Sequence, residues 1–222
     1  MKELILKRAA ELEPLLGFSS AKMEELRHNL AFEFSADGEI ARESAAKAID
    51  HTILSFNATE GDVLKICEEA KIYGFAAVCV NPVWVKSAAD FRKKSGAGFK
   101  IATVIDFPLG ASTVEARIAE AEKAVADGAD ELDLVIGIGL LKSGKLRETY
   151  DSIRALAGMK CYLKVILETS ALTAPEKVDA ALLAFFAGAK MLKTSTGVNG
   201  KATVDDVRLL RAVAGKTLGV KA

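Results

Sequence analysis

Two hydrophobic patterns alternate along most of the chain. From Ile49 onward, short apolar runs are each followed by a polar or glycine-containing loop and then by apolar residues at helical spacing. Gly74, Gly128 and Gly188 each separate a helical stretch from the next apolar run, as glycines do after the last turn of a helix. The pattern predicts strands at residues 49–54, 76–80, 100–105, 131–136, 162–168, 191–195 and 218–222. It predicts helices at residues 60–73, 83–94, 112–127, 145–157, 174–187 and 203–213.

Strict alternation of apolar strands with amphipathic helices predicts a parallel sheet covered by helices on both faces. An open doubly wound sheet and a closed (β/α)8 barrel both satisfy this pattern. A doubly wound fold concentrates its signal in a glycine-rich turn, and no βα turn here reads GxGxxG or GxxxxGK[ST]. A barrel carries functional residues near the ends of several strands. Because polar residues are spread over five predicted strands, we predict an α/β fold of the (β/α)8 TIM-barrel type; these residues are Asp50, Thr52, Asn81, Asp133, Lys164, Glu168, Lys193 and Ser195.

The first 45 residues have a different pattern and are predicted to form an N-terminal helical extension, with the barrel at residues 46–222. Leucines recur at helical spacing to about residue 34, with a break at residues 17–20, and Ser20 is predicted to cap the second helix. A turn at residues 35–38 and a helix at residues 38–48 are expected to join the extension to the barrel. We expect five leucines to pack on the barrel exterior, on its N-terminal end or on a partner subunit: Leu4, Leu12, Leu15, Leu26 and Leu30.

Two of the predicted strands carry a lysine at their centre. A charged lysine in the interior costs several kcal/mol without a partner, so Lys164 and Lys193 either reach solvent or take part in chemistry. The predicted strand at residues 131–136 carries Glu131 and Asp133 on one face. If the three strands are neighbours, two amines and a carboxylate converge. This combination is typical of Schiff-base chemistry, in which a second cation lowers the pKa of the nucleophilic lysine and a carboxylate relays protons.

Composition and charge exclude several other classes of protein. Thirty basic and thirty acidic residues cancel, and no basic block or basic face is present, so nucleic acid and anionic membranes are poor candidate partners. The three cysteines, Cys67, Cys79 and Cys161, lack disulfide or zinc-ligand spacing. We predict no metal and no cofactor. The N-terminus lacks the continuous apolar segment of a signal peptide or membrane span, and a cytoplasmic location is expected.

Seven motifs follow one another in the order of the predicted strands. They are residues 49–52 (IDHT), 78–82 (VCVNP), 102–110 (ATVIDFPLG), 128–133 (GADELD), 163–169 (LKVILET), 193–197 (KTSTG) and 219–221 (GVK). In this order the sequence resembles the deoxyribose-phosphate aldolases, class I aldolases that form a Schiff base on a (β/α)8 barrel. The resemblance runs from about Ile49 to the last residue. It implies phosphosugar and aldehyde substrates, and we expect a homo-oligomer.

The resemblance also implies residue roles. Lys164 matches the lysine that forms the Schiff base, Lys193 the second lysine that perturbs its pKa, and Asp133 the carboxylate that moves protons through a water molecule. Further matches surround the substrate, at Asp50, Thr52 and Cys79, or form a loop near its phosphate, at Ser195, Thr196 and Gly197. His51 is expected to be structural, and Asp106 is expected to cap a loop.

The family pattern continues beyond residue 222 with a Gly-Gly-Ile-Arg-type loop, an eighth strand and a last helix. The predicted barrel has 222 − 45 = 177 residues, fewer than the roughly 200–250 that such a barrel needs. We therefore expect a C-terminally truncated barrel of about seven strands that cleaves phosphorylated substrates poorly. Two alternatives stay open: a catalytically impaired fragment that serves as a binding or assembly module, and another Schiff-base sugar-phosphate aldolase.

Overall fold

The computed structural model describes residues 1–32 and 42–222. The predicted turn at residues 35–38 and the start of the predicted helix at residues 38–48 lie outside these residues. The strands are β1 (Asp50–Ile53), β2 (Ala77–Val80), β3 (Lys100–Ile105), β4 (Glu131–Val135), β5 (Tyr162–Ile166), β6 (Met191–Lys193) and β7 (Gly219–Lys221). The helices are α1 (Lys2–Leu16), α2 (Ser20–Ala31), α3 (Arg42–Ala46), α4 (Glu60–Tyr73), α5 (Val85–Ser95), α6 (Val114–Asp127), α7 (Ile138–Lys142), α8 (Leu146–Ala157), α9 (Ala174–Ala187) and α10 (Val204–Ala214).

The seven strands form one sheet in the order in which they occur along the chain. The pairings β1–β2, β2–β3, β5–β6 and β6–β7 are parallel. Sequential order with a helical connection after each strand is the topology of a (β/α)8 barrel, and it differs from the doubly wound order in which the strand sequence reverses. The predicted α/β alternation and the choice of the barrel type over the doubly wound sheet are therefore confirmed.

The chain divides into two compact units. The first unit comprises the described part of Met1–Ser35 together with Asp106–Val114 and Leu134–Ala222. It contains the N-terminal helices, α7 to α10 and strands β5 to β7. The second unit comprises the described part of Ala36–Ile105 together with Glu115–Asp133, and it contains β1 to β3, α4 and α5.

The core of each unit follows the strand pattern. All four residues of β2 are buried, and so are the last five residues of β3 in the same unit. In the first unit, the last four residues of β5 are buried, and α9 buries every residue from Val178 to Ala187. Strands covered on both faces need apolar residues at nearly every position, which explains their continuous apolar runs.

Three helices that follow strands begin with the same local device. Thr59, Thr173 and Thr203 precede α4, α9 and α10, and each threonine N–H donates to the carboxylate three residues later, with N–O distances of 2.9, 2.8 and 3.1 Å. Such capping boxes satisfy backbone N–H groups that the first helical turn leaves unbonded.

Within the first unit, the N-terminal helices α1 and α2 pack on the helices that follow β4, β5 and β6. Helix α1 contacts α8 and α9, and α2 contacts α10. The ring of Phe18, between the two helices, stacks on Phe186 of α9 with centroids 3.6 Å apart and an angle of 7° between the planes. Leu12, Leu26 and Leu30 are buried, which confirms that they pack against the rest of the protein.

Two details of this extension depart from the others. Leu15 is 45% exposed, because the buried stripe of α1 consists of Ile5, Ala9, Leu12 and Leu16, so its packing on a partner subunit stays a prediction. The cap of α2 is Ser19 and not Ser20: the Ser19 hydroxyl accepts from the Lys22 N–H, and Ser20 is already helical.

Candidate active site

The two strand lysines lie on the same face of adjacent strands in the first unit. Lys164 on β5 pairs with Met191 on β6, and Lys193 pairs with Ile166. Paired residues of parallel strands point to the same side, and so do residues two apart on one strand. Lys193 therefore lies diagonally beside Lys164, with Cα atoms about 8 Å apart for a strand spacing of about 4.8 Å and a rise of about 3.3 Å per residue.

Burial distinguishes the two amines. Lys164 is only 1% exposed and is among the largest fully buried side chains of the described residues. Lys193 is half-buried. A lysine buried in this way is far more easily converted to the neutral amine that attacks a carbonyl carbon.

A third lysine occupies the same face. Lys221 on β7 pairs directly with Lys193 and is half-buried. The row of Lys164, Lys193 and Lys221 thus follows three adjacent strands of one unit. In the sequence Lys221 ends the GVK motif, and its signal is a lysine in a short apolar strand.

The Ser195–Gly197 loop follows β6 directly and lies beside the end of β5. The main-chain pairing continues past the strands, since Leu167 N–H donates to the Lys193 carbonyl and Thr169 N–H to the Thr194 carbonyl. Thr196 contacts Glu168, whose carboxylate accepts from the Thr196 hydroxyl at 2.5 Å and from its N–H at 3.4 Å. The loop predicted to lie near the substrate phosphate is therefore on the same pair of strands as the lysines.

The other predicted residues belong to the second unit. Asp133 is fully buried on β4. Thr52 pairs with Cys79, so these two side chains and Asp50 share one face of β1 and β2. Cys79 is buried, Asp50 is half-buried, and the Thr52 hydroxyl donates to the Asp50 carbonyl at 2.8 Å. Convergence of Asp133 with the two lysines stays a prediction.

Two residues have the structural contacts that the sequence indicates. His51 Nε2 lies 2.6 Å from Glu69 Oε2, and its imidazole packs on the Phe75 ring at 5.0 Å between centroids. Asp106 accepts from the Ser112 N–H at 3.0 Å and from the Ser112 hydroxyl at 2.8 Å, so it caps its loop as expected.

Neither a metal cluster nor a membrane helix is found in the residues described. Within residues 1–32 and 42–222, no three His, Cys, Asp or Glu side chains are placed to hold a metal ion. Over the same ranges, no helix combines the length and hydrophobicity needed to cross a bilayer.

Comparison with known proteins finds aldolases that are similar to this chain in sequence. The family model described as DeoC/LacD family aldolase matches residues 44–219. The deoxyribose-phosphate aldolase of Thermococcus gammatolerans is 50% identical over 182 residues, which are 80% of this chain and 81% of that protein. The enzyme of the same name from Bacillus cereus strain B4264 is also 50% identical over 182 residues, 80% of each chain.

Solved structures support the same assignment. A putative deoxyribose-phosphate aldolase from Coccidioides immitis superimposes with a TM-score of 0.80 at 34% identity, covering 91% of this chain and 83% of that one. A deoxyribose phosphate aldolase from Aeropyrum pernix, described as having a unique tetrameric structure, gives 0.75 at 31% identity, covering 92% and 84%. The resemblance inferred from the motifs is thereby confirmed, and the chain belongs to the DeoC/LacD family of aldolases, which are lyases.

Proposed function

We propose that this chain cleaves 2-deoxy-D-ribose 5-phosphate reversibly to acetaldehyde and glyceraldehyde 3-phosphate through a Schiff base on Lys164. One observation carries the proposal: a lysine that is 1% exposed lies on the same sheet face as a second, half-buried lysine on the adjacent strand. The names of the relatives that are 50% identical support the choice of substrate.

The chemistry needs a neutral amine at Lys164. Its nitrogen attacks the aldehyde carbon of the open-chain sugar, and the resulting carbinolamine loses water to give a protonated imine. A base then takes the proton of the C3 hydroxyl, the C2–C3 bond breaks, and the bonding electrons move to the imine to form an enamine as glyceraldehyde 3-phosphate leaves. Protonation of the enamine at C2 and hydrolysis release acetaldehyde and regenerate the amine.

Two neighbouring lysines favour the neutral amine of Lys164 near neutral pH. A lysine has an ordinary pKa near 10.4, and a neighbouring ammonium disfavours its charged form. Lys193 is the diagonal neighbour of Lys164, and Lys221 lies one strand further along. Both therefore favour the neutral form of the buried Lys164 amine.

The remaining roles come from the family resemblance. Asp133 is proposed to move protons to and from the substrate through a water molecule, and its complete burial supports a role that an exposed carboxylate performs poorly. Asp50, Thr52 and Cys79 are proposed to contact the sugar. The Ser195–Gly197 loop is proposed to hold the phosphate. Independently of the resemblance, Lys201 and Lys221 are proposed to supply positive charge to it.

Two further assignments accompany the function. We propose a homo-oligomer, which the tetrameric description of the Aeropyrum pernix relative supports. We also propose a cytoplasmic location, because phosphorylated sugars are anionic and stay in the compartment where they are made. The predicted absence of nucleic-acid partners stays a prediction.

Reductive trapping tests the central assignment. The protein is incubated with deoxyribose 5-phosphate or with acetaldehyde, reduced with borohydride, digested and mapped by mass spectrometry. We expect the adduct on Lys164, its loss in Lys164→Arg, and its retention in Lys193→Arg and in the exposed control Lys190→Arg. An adduct on Lys193 would reverse the two roles. Absence of both an adduct and cleavage would favour the binding-module alternative.

A further inference from the structure

The buried carboxylate of Glu168 connects the ends of β5 and β6, the strands that carry Lys164 and Lys193. Glu168 has no role in the reaction proposed above. Glu168 lies two residues after β5, is fully buried, and adopts a left-handed backbone conformation with φ 54°. Residues other than glycine adopt this conformation rarely and keep it where the surroundings enforce it.

The partners of this carboxylate lie in the loops that follow the lysine strands. Oε2 accepts from the Thr196 hydroxyl at 2.5 Å, and both oxygens lie 3.4 Å from the Thr196 nitrogen, whose N–H donates to them. Oε1 also accepts from the Ser170 hydroxyl at 3.4 Å. Glu168 therefore connects the chain after Lys164 with the chain after Lys193.

Ser170 extends the connection to the far end of the loop. Its hydroxyl lies 3.4 Å from the Asn199 carbonyl as well as from Glu168. Gly200 packs so closely on it that an added Cβ would come within 2.4 Å of the Ser170 Oγ. The segment from Thr196 to Gly200 is thus fixed at both ends by the residues that directly follow β5.

The hydrogen bonds of Thr196 are directed into the protein. Its hydroxyl donates to Glu168, and its Oγ1 accepts from the Val198 N–H at 3.1 Å. Its own N–H is directed to the same carboxylate. A hydroxyl whose single proton bonds a buried carboxylate has no proton to give to a phosphate oxygen.

We propose that Glu168 is a positioning residue that holds the Ser195–Gly197 loop through Thr196, and that Thr196 acts through this contact and not by touching the substrate. The inference rests on the proposed function in one respect, since it takes the loop to lie against the phosphorylated part of the sugar. Hydrogen bonds to a buried carboxylate are stronger and shorter than neutral ones, which suits them to fixing a loop beside an anion.

The test separates positioning from chemistry by comparing two substrates. Glu168→Ala and Thr196→Val are expected to raise KM for deoxyribose 5-phosphate about tenfold, the change that loss of one charge-assisted hydrogen bond gives, with little change in kcat. KM for unphosphorylated 2-deoxyribose should stay within about threefold of the wild-type value, because that substrate lacks the group that the loop holds. Thr196→Ser, which keeps the hydroxyl, should behave as wild type.

A double-mutant cycle tests whether the two residues act through each other. The variant with both Glu168→Ala and Thr196→Val should be no worse than Glu168→Ala alone, because that change already removes the contact. Additive effects of Glu168→Ala and Thr196→Val, an unchanged KM in Thr196→Val, or equal losses with both substrates would overturn the proposal.

Two further measurements test the role of Glu168 separately from the proposed aldolase activity. Borohydride trapping with acetaldehyde reports the amine chemistry alone, and we expect wild-type trapping in every variant of the cycle. Hydrogen exchange of the loop amides at residues 196–200 reports positioning without any reaction, and it should become faster in Glu168→Ala and Thr196→Val but not in Thr196→Ser. If wild-type protein forms no adduct, the proposed function fails, and the exchange rates still decide the role of Glu168.

Discussion

Arg8 on α1 and Asp179 on α9 are 171 residues apart in the chain and form a two-pronged ion pair. Arg8 Nε donates to Asp179 Oδ1 at 2.7 Å, and Nη2 donates to Oδ2 at 2.6 Å. The hydrogen bonds to Asp179 raise the pKa of the Arg8 guanidinium, so the arginine is charged at every accessible pH. The pair attaches α1 to α9, the most completely buried helix of the first unit.

Breaking this pair should weaken the attachment of α1. Arg8→Ala leaves the nearly buried Asp179 carboxylate without its main partner, and we expect a loss of about 1.5–3 kcal/mol in the free energy of unfolding measured in urea. The matched control is Arg208→Ala, which breaks an exposed pair with Asp205 on the surface of α10. Exposed pairs contribute little, so the control should unfold like wild type. Equal stability of Arg8→Ala and the control would contradict this role.

Removing the third lysine should change the pH dependence of cleavage. Lys221 pairs with Lys193 on the face that carries Lys164, and loss of a nearby cation raises the pKa of an amine. In Lys221→Met the acid limb of the kcat/KM profile should therefore move to higher pH. The exposed Lys190→Met is the control. An unmoved acid limb would contradict the electrostatic role of Lys221, and a higher KM for phosphorylated substrate would support its proposed role at the phosphate.

Asp206 should stabilise the protein in a pH-dependent way. Its carboxylate is 3% exposed, accepts from Lys177 at 2.6 Å, and caps α10 through Thr203. Burial acts to raise the pKa of Asp206, but the hydrogen bonds from Lys177 and Thr203 hold it below its ordinary value. A lowered folded-state pKa gives a contribution that is fully present above about pH 4 and is lost as the pH falls through that lower value.

The variant Asp206→Asn measures this contribution. It should lower the free energy of unfolding by about 2–4 kcal/mol at pH 7, because it removes a buried charge partner. The difference from wild type should shrink as the pH falls below about 4. A difference that is constant from pH 7 to pH 3 would mean that the charge of Asp206 is unimportant.

Two glycines of the first unit should respond oppositely to alanine. Gly110 has φ 61°, and an added Cβ would lie 2.2 Å from the Ile136 carbonyl oxygen. Gly110→Ala should therefore lose at least about 2 kcal/mol of unfolding free energy. Gly139 in α7 has open space around it, so Gly139→Ala should be neutral or slightly stabilising because alanine favours helix. Similar thermal unfolding temperatures for the two variants would contradict the close approach at Gly110.

The cysteines should differ in reactivity. Burial raises the pKa of the Cys67 thiol to about 11, so almost none of it is thiolate at pH 8. The pKa of Cys161 is also raised by burial, but this side chain is half-exposed. We expect iodoacetamide at pH 8 to modify Cys161 first and Cys67 only in urea, as read by peptide mass mapping. Rapid labelling of Cys67 in the folded protein would show that α4 opens locally.

The sequence was informative about the fold because the strands β2 to β5 are buried along nearly their whole length and need continuous apolar runs. Three predicted elements, at residues 60–73, 100–105 and 174–187, have the observed bounds. The predicted strand at residues 162–168 ends early, at Ile166, because Glu168 turns into the left-handed region. Helix α7 was missed, since a five-residue segment with glycine at residue 139 has too few positions to show a helical period.

The site was predictable only in part. A lysine inside an apolar strand is visible in the sequence, and so is its position on one face. The contact between Glu168 and Thr196 is not, because it depends on a single backbone angle at residue 168 and on the pairing of β5 with β6. Sequence patterns report which residues face a core, and they do not report which loop side chains bond to each other across strands.

The three capping boxes have a consequence for how such a chain changes during evolution. Thr59, Thr173 and Thr203 each fix the start of a helix by bonds to a residue three positions later, so the start signal travels with its own segment. A segment of helix, loop and following strand that is exchanged between relatives at such a threonine brings its helix start with it. Each such threonine therefore marks a boundary that is set locally. Recombination at this boundary keeps the buried residues on the same face of the helix. Recombination within a helix would instead shift its buried stripe by a fraction of a turn.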